Sequence, residues 1–114
     1  MQIALHIEVI EPGAYVAITG RLGAATVADV RGMLADHLDR GSGDLVVDLQ
    51  AVELVDATGL GVLVGTHRRA DRVGRRLVLR GVPERIERLL HATRLHRVLC
   101  VEPDVVRLDQ PISA

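Results

Sequence analysis

The sequence has no phenylalanine, no tryptophan and a single tyrosine, Tyr15, in 114 residues. That scarcity weakens two classes of function. Single-stranded nucleic-acid binders stack bases on aromatic side chains, and small-ligand pockets are commonly lined with them. Lysine is absent as well: every basic side chain is arginine, and 14 basic against 15 acidic residues leave a formal net charge of −1. No field of one sign draws such a chain to nucleic acid or to an anionic membrane. One cysteine, Cys100, cannot close an internal disulfide, so a reducing compartment is the natural setting. No apolar run approaches the roughly 20 residues that span a bilayer. The start, Met1–Glu8, lacks a basic segment ahead of an apolar one, which argues against a secretory signal. The expectation is a cytoplasmic chain without membrane insertion.

What is present is aliphatic. Apolar residues make up 48% of the chain and are mostly Val, Leu, Ile and Ala, enough for one interdigitated core in one domain. Ile3, Leu5, Ile7 and Val9 alternate with Ala4, His6, Glu8 and Ile10, the period of a half-exposed strand. Glu11-Pro12-Gly13 supplies a turn, and Ala14–Thr19 a second, antiparallel strand. Gly20–Gly23 breaks the pattern. Val27, Val30, Leu34 and Leu38 then recur at helical spacing, which predicts a helix over 25–40, ended by Gly41-Ser42-Gly43. Leu45–Leu49 reads as a short strand buried on both faces.

Leu54-Val55 leads to Asp56, and a helix is expected from Ala57 to Val73, with Leu60, Leu63, Val64 and His67 on one side. Leu77–Leu79 is the next buried strand. Pro83 fits the first turn of a third helix carrying Ile86, Leu89 and Leu90, and Val98–Val101 is a last strand. The order β-β-α-β-α-β-α-β predicts an α/β fold with a single mixed, mostly parallel β-sheet and helices packed on it. The domain is expected over 1–101, with a C-terminal tail over 102–114.

The segment from Asp48 to Leu63 carries the most information. It leaves a strand, crosses a short connection and starts a helix with an acid, a hydroxyl and two glycines. Asp56 is a good N-cap, since its carboxylate can accept from free N–H groups in the first turn and suits the positive helix end. Gly59 and Gly61 each cost about 1 kcal/mol of helix propensity relative to Ala. Capping explains Asp56 but not the glycines on either side of Leu60, which suggest that backbone lies close to something there.

Other candidates are weaker. His6, His37, His67, His91 and His96 lack metal-ligand spacing and read as surface or boundary residues, so no metal is expected. Cys100 reads as a buried small hydrophobe. Ser42 and Ser113 lack a nucleophile's setting, and Gly59-x-Gly61 is not followed by the rest of a phosphate loop. With no nucleophile–base pair and no cofactor motif, neither enzyme activity nor a cofactor is expected. The arginines from Arg68 to Arg76 are interrupted by Asp71 and read as a solvated helix end.

Asp48-Leu49, a connection ending in Val55-Asp56, and Thr58-Gly59-Leu60-Gly61-Val62-Leu63 together resemble the signature of STAS domains, in particular bacterial anti-sigma-factor antagonists. Gly20-x-Leu22, Ala24-Ala25-Thr26, Gly74–Leu79 and Leu90…Thr93-Arg94-Leu95…Val98-Leu99 fall in the family's order, so the resemblance covers nearly the whole chain. It implies the STAS fold and a binding role in partner switching. The antagonist would bind an anti-sigma factor, often a serine kinase, and so release a sigma factor. The kinase would end the complex by phosphorylating the residue after the Asp. A phosphate there meets free N–H groups at a helix N-terminus, so the fold tolerates it. It also adds about −1.5 to −2 charges to the interface.

Two departures bear on this. The residue after Asp56 is Ala57, which cannot accept a phosphoryl group. Thr58 is the substitute candidate, but it projects about 100° further round the helix, and its hydroxyl has a competing use in a local backbone bond. An unswitched, constitutive binder is therefore expected. Where the family commonly has a Glu-Leu-Asp run, this chain has Arg21-Leu22-Gly23, which implies a partner with a more acidic docking patch. The partner surface carried over comprises Arg21, Gly23, Asp56, Ala57, Thr58, Gly59, Leu60, Gly61 and Val64, with Leu60 and Val64 as its apolar centre. The alternative is a scaffold or accessory subunit of a larger assembly, a signalling complex or a lipid-transport machine. A weak homodimer is compatible with either.

Overall fold

The computed structural model describes residues 5–103. Ile3 and Ala4 at the start of the first expected strand, and all but the first two residues of the expected tail, Ser113 among them, lie outside the described residues. Strands β1 (Leu5–Glu11) and β2 (Tyr15–Leu22) form an antiparallel hairpin. Then follow helix α1 (Val27–Arg40), strand β3 (Asp44–Val55), helix α2 (Ala57–Arg72), strand β4 (Arg76–Arg80), helix α3 (Glu84–Ala92), a 3-10 turn at Leu95–Arg97 and the short strand β5 (Cys100–Val101). The described strands make one sheet in the order β1-β2-β3-β4-β5, antiparallel at β1 and parallel elsewhere. The expected α/β class and single mixed sheet are what the chain forms.

Sequential strand order has a consequence for the layers. From β2 to β5 each parallel crossover steps the same way across the sheet, and each is right-handed by the general rule. All three helices therefore fall on one face. The core agrees: Val30 and Leu34 of α1, Leu63 of α2 and Leu90 of α3 are buried in one cluster with Ile18, Val47 and Leu79 of the sheet. The opposite face carries polar side chains in cross-strand contact. Arg76 pairs with Asp44 at 2.7 Å, the Tyr15 hydroxyl donates to Asp48 at 3.1 Å, and Arg80 lies over the Tyr15 ring while pairing with Glu102. One apolar and one polar face is how a sheet open to solvent on one side is built.

Local boundaries depart from the sequence reading. β2 continues to Leu22 through Gly20, and α1 starts at Val27, after a turn that takes in Ala25 and Thr26. β3 is not a short strand buried on both faces. It runs for 12 residues with two irregularities in its pairing to β2; over 45–49 only the Leu45, Val47 and Leu49 side is buried, with Val46 and Asp48 half-buried on the polar face, and Val52 and Val55 are buried further on. β5 is limited to Cys100–Val101 because the 3-10 turn ends at Arg97. Cys100 is half-buried rather than enclosed.

The largest correction is in the arginine run. Arg75 is buried, with no carboxylate partner among the described residues, and its guanidinium donates to backbone carbonyls from three places in the chain. Nη1 bonds the carbonyls of His37 (2.8 Å) and Leu38 (3.0 Å) in the last turn of α1, Nε bonds that of Gly43 (3.0 Å), and Nη2 reaches those of Gly13 and Asp44. They belong to the end of a helix, where carbonyls lack intrahelical partners, and to two turns with the adjoining start of β3. His37, expected at the surface, is buried in the same place. Its Nδ1 accepts from the Gly13 N–H at 3.0 Å, which requires the ring unprotonated at that nitrogen. Burial, and then the charge of Arg40, hold the His37 imidazole below its ordinary pKa.

Replacing Arg75 by Met removes the donors and leaves the carbonyls enclosed. The expected loss is about 3 kcal/mol or more, since each stranded buried group costs roughly 1–3 kcal/mol. Urea denaturation of Arg75→Met and Arg75→Lys checks this, with Lys recovering only part because it cannot reproduce the planar fork.

Candidate functional site

β2 and β3 are parallel and end side by side, with Leu22 opposite Val55. From there the chain turns into α1 through Gly23–Thr26 and into α2 through Asp56, so two helix starts meet at the carboxyl ends of neighbouring strands. Asp56 joins them. Its Oδ1 accepts from the Gly59 N–H at 2.9 Å, capping α2, and its Oδ2 accepts from the Ala24 N–H at 3.1 Å, across the gap to the other connection. Its own N–H donates to the Leu22 carbonyl at 3.3 Å. Hydrogen bonds from Gly59, then Ala24, hold the Asp56 carboxyl below the usual carboxylate range.

Glycine is required twice in this junction. A Cβ on Gly59 would strike the Leu22 carbonyl, and a Cβ on Gly23 would run into the Asp56 carboxylate. Gly61 is different: nothing lies within 4 Å of where its Cβ would be. The close backbone approach expected from the glycine pair is thus made inside the chain by Gly59 alone. Thr26, not singled out from sequence, closes the junction from below. Buried, it donates to the Arg21 carbonyl at 2.9 Å and accepts from the Gly23 N–H at 3.2 Å. A hydroxyl residue just before the helical period was the available signal.

The surface so formed contains Ala57, Thr58 and Gly61 on α2 and Arg21 at the end of β2, all exposed, with Gly23 and Val64 half-buried. Gly59 is buried against β2. Leu60 does not belong to that surface. It is only 7% exposed and lies in the core cluster, because α2 turns this side toward the sheet with Leu63. The apolar side chain offered to solvent is instead Leu54, 55% exposed and paired in register with Arg21 two residues before Asp56.

The remaining candidates are dispersed. Arg69 pairs with Asp39 of α1 at 3.1 Å, while Arg68 and Arg72 are exposed. Ser42 is exposed, and His91 and His96 stack on each other at 3.9 Å. No group of three or more His, Cys, Asp or Glu side chains is gathered for a metal ion among the described residues.

The two helix glycines should respond oppositely to the same substitution. Gly59→Ala overpacks against backbone and is expected to lose about 1–3 kcal/mol. Gly61→Ala meets open space and is expected to gain up to about 1 kcal/mol. Thermal or urea unfolding of the pair measures both.

Comparison with known proteins agrees with this topology. Residues 11–103 match the family described as "Mlab, STAS domain". The anti-sigma-B factor antagonist of Staphylococcus aureus is 34% identical over 86 residues, which cover 75% of this chain and 80% of that protein. The Staphylococcus epidermidis protein of the same name is 35% identical over an equal span. Among solved structures, an anti-sigma factor antagonist from Mycobacterium paratuberculosis superposes with a TM-score of 0.71 at 24% identity, over 90% of this chain and 89% of the other. With its sequential mixed sheet, its one-sided helices and the Asp56 junction at the strand ends, the chain belongs to the STAS domain family.

Proposed function

We propose that this chain is an anti-sigma-factor antagonist, which binds an anti-sigma factor in the cytoplasm and so frees a sigma factor to act in transcription. The observation that carries this is the Asp56 junction. One carboxylate fixes the start of α2 against the β2–α1 connection, and Arg21, Leu54, Ala57, Thr58 and Gly61 are exposed on the elements it joins. A surface held in place before encounter loses little conformational entropy on binding. Relatives named as anti-sigma-B factor antagonists support the choice of partner. No helix among the described residues is long and apolar enough to cross a membrane.

Roles follow from placement. Gly61 exposes helix backbone with no side chain in the way, so a partner segment can pack directly on α2. Leu54 replaces Leu60 as the apolar contact, with Val64 beside the exposed stripe. Arg21 sets charge at the rim, where it acts mainly on encounter rate and partner choice, and favours an acidic patch opposite. Ala57 leaves the position after Asp56 without a hydroxyl, so the complex is constitutive.

Co-purification from the native cell should recover an anti-sigma factor of the serine-kinase type; recovery of lipid-transport components instead would sink the proposal. With that partner in hand, Gly61→Arg is expected to weaken binding at least about tenfold, a change of about 1.4 kcal/mol, without loss of fold by circular dichroism. Unchanged affinity would remove α2 from the interface.

Incubation with the kinase and ATP should leave the protein's mass unchanged. A one-phosphate shift at Thr58 with loss of binding would show that the switch has moved by one residue.

A further inference from the structure

The described sheet ends at β1, which has β2 on one side and no strand on the other. A free edge presents unpaired N–H and C=O groups, and natural edges are usually short, charged or bulged for that reason. Here the bulge falls between Val9 and Glu11, leaving Leu5–Val9 as a regular ladder. The register against β2 fixes the faces. Leu5, Ile7 and Val9 lie opposite Gly20, Ile18 and Val16, on the helix side of the sheet, and His6 and Glu8 lie opposite Thr19 and Ala17, on the polar side. Val9 is 41% exposed, and His6 and Glu8 are exposed.

We propose that this edge pairs with the same edge of a second copy of the chain, antiparallel about a two-fold axis through Ile7. The sequence of β1 is self-complementary in that register. Ile7 meets Ile7, Leu5 meets Val9 twice, and His6 meets Glu8 twice, so each apolar residue faces an apolar one and each acid a hydrogen-bond donor. Other registers fail. An axis at Glu8 opposes Glu8 to itself, and an axis at Val9 or at His6 no longer sets His6 opposite Glu8. Directly opposed like charges destabilise strand pairing, and opposite or matched pairs support it.

A two-fold axis normal to the sheet keeps the helices of both copies on one side and makes the two sheets continuous. Because the strands run oppositely in the two copies, the Asp56 junctions sit at opposite ends of the joined sheet. Each stays open, which makes the pair bivalent toward its partner. The contact is one short strand per copy, so the association is weak and concentration-dependent.

Sedimentation equilibrium of the full chain from micromolar to millimolar concentration tests this. The wild type should dimerise. His6→Glu, which opposes Glu to Glu twice, should associate about tenfold more weakly. The exchanged variant His6→Glu/Glu8→His, which restores both pairs in the same register, should return to the wild-type constant. A wild type that stays monomeric overturns the proposal and leaves the edge to a foreign strand; an exchanged variant as weak as His6→Glu overturns the register. Oxidative cross-linking on a Cys100→Ser background gives an independent reading. Ile7→Cys, on the axis, should form a covalent dimer, whereas Val9→Cys, more exposed but off the axis, should not. The reverse order, or a dimer that Ile7→Cys fails to trap, overturns it.

Discussion

The Arg75 guanidinium is the interaction on which the lower end of the molecule depends. Parallel strands joined by helices run in one direction, so every helix C-terminus and every strand start gathers at the same end of the sheet. That end is rich in unpaired carbonyls. In this chain the last turn of α1, the β1–β2 turn and the approach to β3 all bring theirs to one point, and Arg75, at the entrance to β4, supplies donors in the planar spread they need. A charged side chain buried without a carboxylate is ordinarily costly. Its environment here is a shell of aligned carbonyl dipoles, and the His37 ring beside it stays neutral by accepting from Gly13. Packing of α1, the hairpin and β3 is thereby coupled through one side chain.

The opposite end of the sheet poses the mirror problem. Helix N-termini meet there and leave N–H groups without partners, so the chain needs acceptors rather than donors. Asp56 takes N–H groups from both connections, and Thr26 ties the carbonyl of Arg21 to the same loop. The N–H groups of Gly59 at the start of α2 and of Ala24 ahead of α1 converge on that carboxylate and hold its pKa below the usual range. The same polarity that makes this end a capping problem makes it a fixed and exposed surface, which is why the proposed partner surface lies here and not at the Arg75 end.

The repeating parts of the fold were legible in the sequence. Period-2 alternation, short apolar runs and period-3.6 patterns placed the strands and α-helices of the described residues, and short connections with sequential elements implied the mixed sheet. Asp56 as a cap followed from helix chemistry alone, and so did a close approach at the glycine pair, which the fold makes at Gly59 and not at Gly61. What escaped was set by which side of an element faces inward. Leu60 lies on a helix whose apolar positions nearly encircle its first turns, so pattern could not tell core from surface. In the sequence Leu54 is only part of the lead to Asp56, and its exposure arises because β3 has there run beyond its β4 neighbour, whose pairing stops at Asp48. Arg75 and His37 escaped because burial of a polar group is decided by partners distant in sequence, 38 residues apart in the case of Arg75 and the His37 carbonyl.

The junction also separates what the fold needs from what a partner meets. The contacts of Asp56 are to the main chain at Gly59, Ala24 and Leu22, and the required absences of side chain are at Gly23 and Gly59. Ala57 and Thr58, between the cap and its acceptor-bound N–H, are exposed and supply no side-chain group to that bond. Nothing in the scaffold therefore dictates the residue after Asp56. A hydroxyl could stand there, as the family's switch requires, or a methyl, as it does in this chain, with the same cap and the same helix direction. The scaffold thus fixes its geometry whatever residue 57 is, and under the proposed function the identity of that residue decides whether the surface carries a switch.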